Sequence, residues 1–248
     1  MLPDLTVRST ISELMDEPDC CETMLLRTVR QFAIINRLVA RYRTTLKHHV
    51  ISDMLRHPQR AYHLLDMGAG GCDIDVWLLK AARRKGLNLR ITACDTDPRI
   101  IAYAESNYGH VEGLTILNKD LLSGSITTPV EYVFANHFLH HLTNQQIIRL
   151  LQEWRPFVKR QMVFSDLHRI RSAYAGYAVF SSFFPRSFAR TDGLISIRRG
   201  FIPDELTALV EKALPHENFS IQQYVPGRLV LCIGGSNSTS SPTQGTFL

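Results

Sequence analysis

The fold is decided by residues 62–80, which read YHLLDMGAGGCDIDVWLLK. An apolar run with Asp66 near its end passes into a glycine-rich turn, and the residues after the turn place apolar side chains at helical spacing. We predict a buried strand over residues 61–67 and a helix over residues 75–85 that stops at Gly86. The turn between such a strand and its helix is where an open α/β sheet holds its ligand.

The same alternation of strands and helices continues along the chain. Pro98 starts one helix at a favourable first-turn position, and Thr143 with Gln146 forms a capping box at another. The predicted strands cover residues 61–67, 89–95, 114–120, 131–136, 160–166, 219–225 and 228–234, and the predicted helices cover residues 23–57, 75–85, 98–109, 143–154 and 203–214. This order predicts a parallel α/β sheet covered on both faces and completed by an antiparallel hairpin.

Composition limits the classes of protein that the chain could represent. Of its 248 residues 45% are hydrophobic, none of its windows is an apolar span of membrane length, and its N-terminus lacks the order of a signal peptide. Its five cysteines are odd in number and lack C-x-x-C spacing, so we expect reduced thiols. The net charge of +5 comes largely from dispersed arginines. We therefore expect a soluble, cytoplasmic monomer or homodimer without a nucleic-acid partner.

Carboxylates around the glycine turn indicate a cationic ligand. Counting from Gly68, a G-x-G-x-x-G dinucleotide motif would place its third glycine where Asp73 stands, and a carboxylate is a poor neighbour for a pyrophosphate. S-adenosylmethionine fits better, because it carries a sulfonium and an ammonium and has no phosphate. Asp95, at the end of the second strand, is placed to bind the ribose hydroxyls, and Asp120 follows the third strand where it can meet the adenine amino group.

Four segments, LLDMGAGGCD, ITACDTDPR, LNKDLL and VFANHFLHHL, resemble the first four motifs of class I S-adenosylmethionine-dependent methyltransferases. The resemblance covers about residues 60–233 and implies a Rossmann-like seven-stranded sheet of order 3-2-1-4-5-7-6, with the last strand antiparallel and an N-terminal helical lid. Cys72 stands where the usual D-x-G-x-G-x-G pattern has its third glycine. The cofactor-binding residues indicated by the strand ends and this resemblance are Asp66, Gly68, Ala69, Gly70, Asp95, Thr96, Asp120, Leu121, Asn136 and His137.

Three further segments, LRTVRQFAIINRLV, DLHRIRSAYAG and RTDGLISIRRGFIPDEL, are similar to bacterial small-molecule methyltransferases related to quinone-biosynthesis enzymes. Some members of that group sit beside polyketide-type synthases, so the similarity implies secondary metabolism and an aromatic or polyketide hydroxyl as methyl acceptor. The aromatic residues at 174–188 agree with an apolar pocket. We predict a helical extension or lid at residues 1–59, a methyltransferase domain at 60–233 with an insertion at about 169–200, and a disordered tail at 234–248.

The run NHFLHH after the fourth strand contains the candidate acid–base residues. His140 and His141 could remove a proton from the acceptor or could serve only in packing. Asp166, at the end of the fifth strand, is the third catalytic candidate. We expect no metal site here, because the run has no carboxylate or cysteine partner nearby in the sequence and the family needs no metal.

Other classes of function stay open at this point. An RNA or protein methyltransferase is disfavoured by the dispersed basic residues and by NHFL in place of the N-P-P-aromatic motif of base-amino methylases. Asp73 disfavours a nicotinamide-dependent oxidoreductase. A non-catalytic module that senses S-adenosylmethionine would share the cofactor residues but would lack turnover. The prediction that fits best is O-methylation of a small hydroxylated molecule, in which the protein chiefly aligns two reactants.

Overall fold

The structure, a computed structural model, describes residues 3–123 and 128–234. One seven-stranded sheet forms its centre. The strands are β1 (Ala61–Met67), β2 (Asn88–Asp95), β3 (Leu114–Asn118), β4 (Val130–Asn136), β5 (Val158–Leu167), β6 (Phe219–Tyr224) and β7 (Arg228–Gly234). The helices are α1 (Glu22–Val39), α2 (Tyr42–Leu46), α3 (Ser52–Met54), α4 (Asp73–Arg83), α5 (Pro98–Tyr108), α6 (Asn144–Trp154), α7 (Arg171–Phe180), α8 (Ala189–Arg199) and α9 (Pro203–Ala213).

The strand order β3-β2-β1-β4-β5-β7-β6 confirms the predicted class I topology. Neighbouring strands from β3 to β5 pair in parallel, whereas β7 pairs antiparallel with both β5 and β6. Parallel pairing brings the carboxyl ends of β1 to β5 to one edge of the sheet. Each predicted site residue lies at or shortly after the carboxyl end of one of these strands.

Apolar side chains cover the two faces of the sheet in two separate layers. One cluster joins α2, α3 and α4 to the sheet through residues such as Leu46, Met54 and Leu79. The other joins α6 and α9 through residues such as Trp154 and Val210. The prediction of helices on both faces is therefore confirmed, and the buried sheet gives the site a rigid floor.

The predicted element boundaries hold to within a few residues, with informative differences. The helix expected at residues 75–85 begins two residues earlier, at Asp73, because Cys72 takes a left-handed conformation that ends the turn there. The strand expected at 114–120 ends at Asn118, which leaves Asp120 in a loop. The capping box is present, with Thr143 N–H donating to Gln146 Oε1 at 2.8 Å.

The segment before the sheet does not stand apart from it. Helices α2 and α3 are joined by a π-helical turn, Lys47–Ile51, and their buried side chains belong to the same apolar layer as α4. The division of the chain at residue 59 stays a prediction, and the predicted disordered tail lies, apart from Gly234, outside the described residues. Within residues 3–123 and 128–234, no helix combines the length and the apolar character needed to cross a bilayer.

Candidate active site

A cavity of about 790 Å³ lies at the carboxyl ends of β1, β2 and β4 and is roofed by α1 and α7. Every predicted site residue except Asp166 lines it, which brings together Asp66, Gly68, Ala69, Gly70, Asp95, Thr96, Asp120, Leu121, Asn136, His137, His140 and His141. The sheet accounts for this convergence, because parallel strands deliver their carboxyl ends to one edge. The lining of the cavity includes carboxylates near β1 and β2 and apolar side chains from α1 and α7.

The glycine turn brings the backbone itself to the cavity wall. Gly68 has φ +70°, and a Cβ on it would lie 2.7 Å from the ring of Phe138, so a side chain is excluded there. Gly70 has φ +54° and open space at the corresponding point. Cys72 also has a positive φ of 58°, which explains why a glycine is usual at this place in the motif. The path of the turn is thus retained despite the cysteine, at the cost of a strained non-glycine residue.

Asp95 ties the second strand to the glycine turn. Its Oδ2 accepts from the Gly70 N–H at 2.9 Å, and its Oδ1 accepts from the Asp97 N–H at 3.1 Å. Burial raises the pKa of Asp95, and these two backbone donors oppose the shift. Each oxygen keeps a lone pair for a further donor, so the carboxylate can accept from a pair of vicinal hydroxyls.

Asp66 and Asp75 form a buried carboxyl pair beneath the turn. Burial, and then the charge of Asp75, hold the pKa of Asp66 well above its usual range, and burial raises the pKa of Asp75 to about 7. Within the described part of the chain, Asp66 Oδ1 and Asp75 Oδ2 have no hydrogen-bond partner. Asp66 also lines the cavity, so a cationic ligand there would supply the missing donor and the missing charge. These residues fit the ammonium group of S-adenosylmethionine.

The opposite part of the cavity is apolar. Helix α1 contributes Phe32 and Val39, and α7 contributes Tyr177 and Phe180. The Tyr177 hydroxyl is already used, because it donates to the Ala189 carbonyl at 2.7 Å. The expected aromatic wall at residues 174–188 therefore presents mainly ring surface to the cavity.

His140 lines the cavity and lies between two carboxylates. Its Nδ1 lies 2.7 Å from Asp166 Oδ1, and its Nε2 lies 3.3 Å from Glu13 Oε1. Burial opposes a charge on the ring, but the two carboxylates outweigh burial and raise the pKa of His140 to about 9. Burial likewise opposes the charge of Glu13, but His140 and His141 lower the pKa of Glu13 to about 2.

Asp166, which we expected to act on the substrate, lies behind His140 and not on the cavity wall. Its Oδ2 accepts from the His140 backbone N–H at 3.2 Å, and Oδ1 accepts from the Leu167 N–H at 2.7 Å. The catalytic role expected for Asp166 stays a prediction, and its contacts with His140 favour a role exerted through that ring, whereas both histidines line the cavity.

Glu13 and Asp16 are the site residues that sequence reasoning missed. Glu13 is 2% exposed and contacts His140, and Asp16 Oδ2 lies 3.1 Å from His141 Nδ1. Their segment is fastened to α8, because Asp192 accepts from the N–H groups of Leu14 and Met15. Although the run NHFLHH has no carboxylate nearby in the sequence, the fold brings carboxylates from distant segments to both histidines. No local motif surrounds Glu13, so only the folded chain could have revealed it.

Arg228 is a second missed residue, at the start of β7. It is 3% exposed, and its Nη2 donates to Asn136 Oδ1 and to Ser165 Oγ, the latter at 2.8 Å. Its Nη1 lies 2.7 Å from His137 Nε2. These contacts orient Asn136 and His137 at the end of β4, where both line the cavity.

Comparisons with known proteins bear on the domain type and on the fold. Residues 64–161 match the model of a family described as a methyltransferase domain. No curated protein sequence matches the chain. Among solved structures, the plantazolicin methyltransferase BpumL in complex with SAH has a TM-score of 0.65 at 12% identity, with 90% of this chain and 93% of that chain covered.

Two other solved structures share the fold. Human N-acetylserotonin methyltransferase in complex with SAM has a TM-score of 0.61 at 12% identity, with 88% of this chain and 57% of that chain covered. Magnesium protoporphyrin IX methyltransferase from Synechocystis PCC 6803 with bound SAH has a TM-score of 0.52 at 13% identity, with 79% of this chain and 84% of that chain covered. Residues 64–161 thus match a methyltransferase domain, and the strand order is that of the seven-stranded methyltransferase fold shared by these structures.

Proposed function

We propose that the protein transfers the methyl group of S-adenosylmethionine to a hydroxyl of a small aromatic or polyketide-type molecule. The observation that carries this proposal is that one cavity is lined both by carboxylates near the ends of β1 and β2 and by apolar side chains of α1 and α7. A cationic cofactor suits the first part and a planar apolar acceptor suits the second. The arrangement would hold the two reactants in line, and alignment supplies much of the acceleration of such a transfer.

Each predicted residue in the carboxylate-rich part of the cavity would make a distinct contact with the cofactor. Asp66 would pair with the ammonium group, and Asp95 would accept from the two ribose hydroxyls while its other lone pairs stay with Gly70 and Asp97. Gly68, Ala69 and Gly70 would let the backbone approach the ligand. Thr96, Asp120 and Leu121, at the open rim beyond β2 and β3, would contact the ribose and adenine, and Asn136 and His137 would lie beside the methyl group.

S-adenosylmethionine supplies an electrophilic methyl group on its sulfonium. The chain's own contribution lies in the acceptor half, where the cluster of Glu13, His140 and His141 faces the cavity. A hydroxyl acceptor must lose its proton as the methyl arrives, and this cluster offers the polar groups that can manage that proton. This cluster suits an acceptor that loses a proton on methylation, and we propose that the acceptor is a hydroxyl.

The acceptor class receives support from the apolar roof. Phe32, Val39, Tyr177 and Phe180 cover the cavity from two helices, and an enclosed site of this kind suits a small molecule better than an RNA or a protein surface. The similar structures are named for acceptors as different as plantazolicin and N-acetylserotonin. We propose a role in secondary metabolism, in the cytoplasm, with a small-molecule partner.

A labelling assay tests this function. The purified protein is incubated with methyl-labelled S-adenosylmethionine and a panel of phenols and polyketide-like aromatics, and products are identified by mass spectrometry. Formation of a labelled methyl ether with release of S-adenosylhomocysteine is the expected result. Labelling of RNA or protein with no small-molecule product would favour the macromolecular alternative. Tight cofactor binding without any transfer would favour the non-catalytic one.

A further inference from the structure

Glu13, His140 and His141 bring three ligand-type atoms to one point on the cavity wall. Glu13 Oε1 lies 3.3 Å from His140 Nε2 and 3.9 Å from His141 Nε2, and the three ligand atoms all lie within 4.8 Å of one another. Two atoms bound to one tetrahedral Zn²⁺ at about 2.0 to 2.1 Å are separated by roughly 3.4 Å. The observed spacing therefore suits a shared metal ion.

Both imidazoles are also oriented as metal ligands usually are. His140 directs Nδ1 to Asp166 at 2.7 Å, and His141 directs Nδ1 to Asp16 at 3.1 Å. A carboxylate behind each ring fixes its tautomer and orientation and makes the opposite nitrogen a better ligand. The same two rings therefore present their Nε2 atoms toward Glu13.

One of these atoms is unsatisfied. His140 is 1% exposed, and its Nε2 has no hydrogen-bond partner among the described residues, although Glu13 lies within ion-pair distance. Glu13 Oε1 is itself held by the Ser196 hydroxyl at 2.7 Å. A buried ring nitrogen that lies 3.3 Å from a carboxylate without hydrogen-bond geometry is the second observation that points to a further ligand, and a metal ion there would displace the proton that the two carboxylates otherwise favour on the ring.

We propose that Glu13, His140 and His141 bind one divalent transition-metal ion, with Zn²⁺ as the best fit. Two imidazoles and one carboxylate form a donor set that is typical of catalytic zinc sites, which keep a fourth position open. All three residues line the cavity, so the open position faces the acceptor half. The turn that carries the histidines is held from outside, because Arg199 donates to the His140 and His141 carbonyls at 3.0 and 2.9 Å.

This inference rests on the proposed function only for its chemical role. The acceptor hydroxyl would occupy the open position as a ligand, and the metal would favour its ionised form, so its proton would leave to solvent before the oxygen attacks the methyl group. The new bond would join that oxygen to the methyl carbon as the carbon–sulfur bond breaks. No oxidant or reductant is needed.

Metal binding is tested without cofactor and without acceptor. The full chain is stripped with a chelator, and Zn²⁺, Mn²⁺ and Mg²⁺ are titrated separately by calorimetry, with the metal content checked by elemental analysis. We expect one Zn²⁺ per chain and much weaker binding of Mg²⁺, which prefers oxygen ligands. Glu13→Gln and His141→Ala should each weaken zinc binding by a factor of about 10 or more, and Asp16→Asn by about 10.

Matched controls separate this site from adventitious binding. Glu211→Gln and His110→Ala change an exposed glutamate and an exposed histidine that do not line the cavity, so both should keep wild-type zinc affinity. Cys21→Ser, which removes an exposed thiol, should also leave the affinity unchanged. Because Glu13→Gln is nearly isosteric and His141 is 29% exposed, both site variants are expected to fold, which circular dichroism verifies.

Each outcome decides one of the two proposals. Absence of stoichiometric zinc binding in the wild type, or equal binding in Glu13→Gln and His141→Ala, overturns the metal site. If methyl transfer then persists in chelator, the proposed function stands by itself. If zinc binds as expected but neither cofactor binding nor transfer is found, the metal site stands and the proposed function falls.

Discussion

Nδ1 of His140 lies 2.7 Å from Oδ1 of Asp166, and this contact fixes the imidazole from the side away from the cavity. Asp166 also accepts from the His140 backbone N–H, so one carboxylate holds both the ring and the turn that carries it. Both groups are fully buried. Asp166 thus holds His140 with the opposite edge of its ring, Nε2, toward Glu13.

Asp166→Asn should lower turnover by about 10-fold or more while leaving cofactor affinity within about 2-fold of the wild type. The side-chain amide of Asn carries no negative charge, so it would hold His140 Nδ1 and the His140 backbone N–H less strongly than the carboxylate does. The ring would then lose its fixed orientation. Steady-state kinetics on an identified acceptor and calorimetry with S-adenosylmethionine measure the two quantities. Asp204→Asn, an exposed change on α9, is the control. Equal losses of turnover and cofactor affinity would place Asp166 in the cofactor site instead.

His140→Ala should lower turnover by a factor on the order of 10² or more, with the greatest loss for acceptors of high pKa. A group that helps an acceptor hydroxyl to ionise matters most where ionisation is hardest, and an already ionised phenol should be affected much less. Turnover across phenols of graded acidity measures this dependence. Equal losses for all phenols would leave His140 as a packing residue, with alignment as the main source of catalysis.

Asp95→Ala should weaken cofactor binding without unfolding the protein. Charge-assisted hydrogen bonds of the kind proposed for the ribose hydroxyls contribute on the order of 1.5 to 3 kcal/mol each. Calorimetry with S-adenosylmethionine and a thermal melt measure affinity and folding. Asp97→Ala, two residues along, tests the neighbouring carboxylate, which is already paired with Arg99. Wild-type affinity in Asp95→Ala would move the ribose contact to another residue.

Asp75→Asn should stabilise the cofactor-free protein at alkaline pH. Burial raises the pKa of Asp75 from 3.8 to about 7, so the stability that its carboxyl contributes is complete below about pH 4 and is lost as pH rises through 7. An amide does not titrate, so at pH 8 the variant should exceed the wild type by on the order of 2 kcal/mol, and by less at pH 5. Denaturant unfolding at the two pH values measures the difference. An advantage that does not grow with pH would contradict the buried-carboxyl assignment.

Local sequence patterns were sufficient to predict those elements whose conformation depends on residues that are neighbours in the chain. The apolar run of β1, the glycine turn and the first residues of α4 follow one another in the chain, so their conformations and their place at the sheet edge could be predicted from spacing alone. The cofactor residues were predictable for the same reason, since each lies at or just after the carboxyl end of a parallel strand. The cavity then confirms that these strand ends converge.

The residues on the acceptor side of the cavity could not be predicted from the sequence, because their contacts join segments that are far apart in the chain. The sequence by itself determined the alternation of strands and helices, the glycine turn and the carboxylates around it, because periodicity and motif spacing are local properties, whereas the strand order was implied by the resemblance of the motifs to a known family. Only the tertiary structure decided that Glu13 and Asp16 meet the histidines, that Asp166 lies behind His140, and that Arg228 orients Asn136. The physical reason is that a buried charge is tolerated only beside a compensating partner, and that partner is supplied by whichever distant segment the packing brings close.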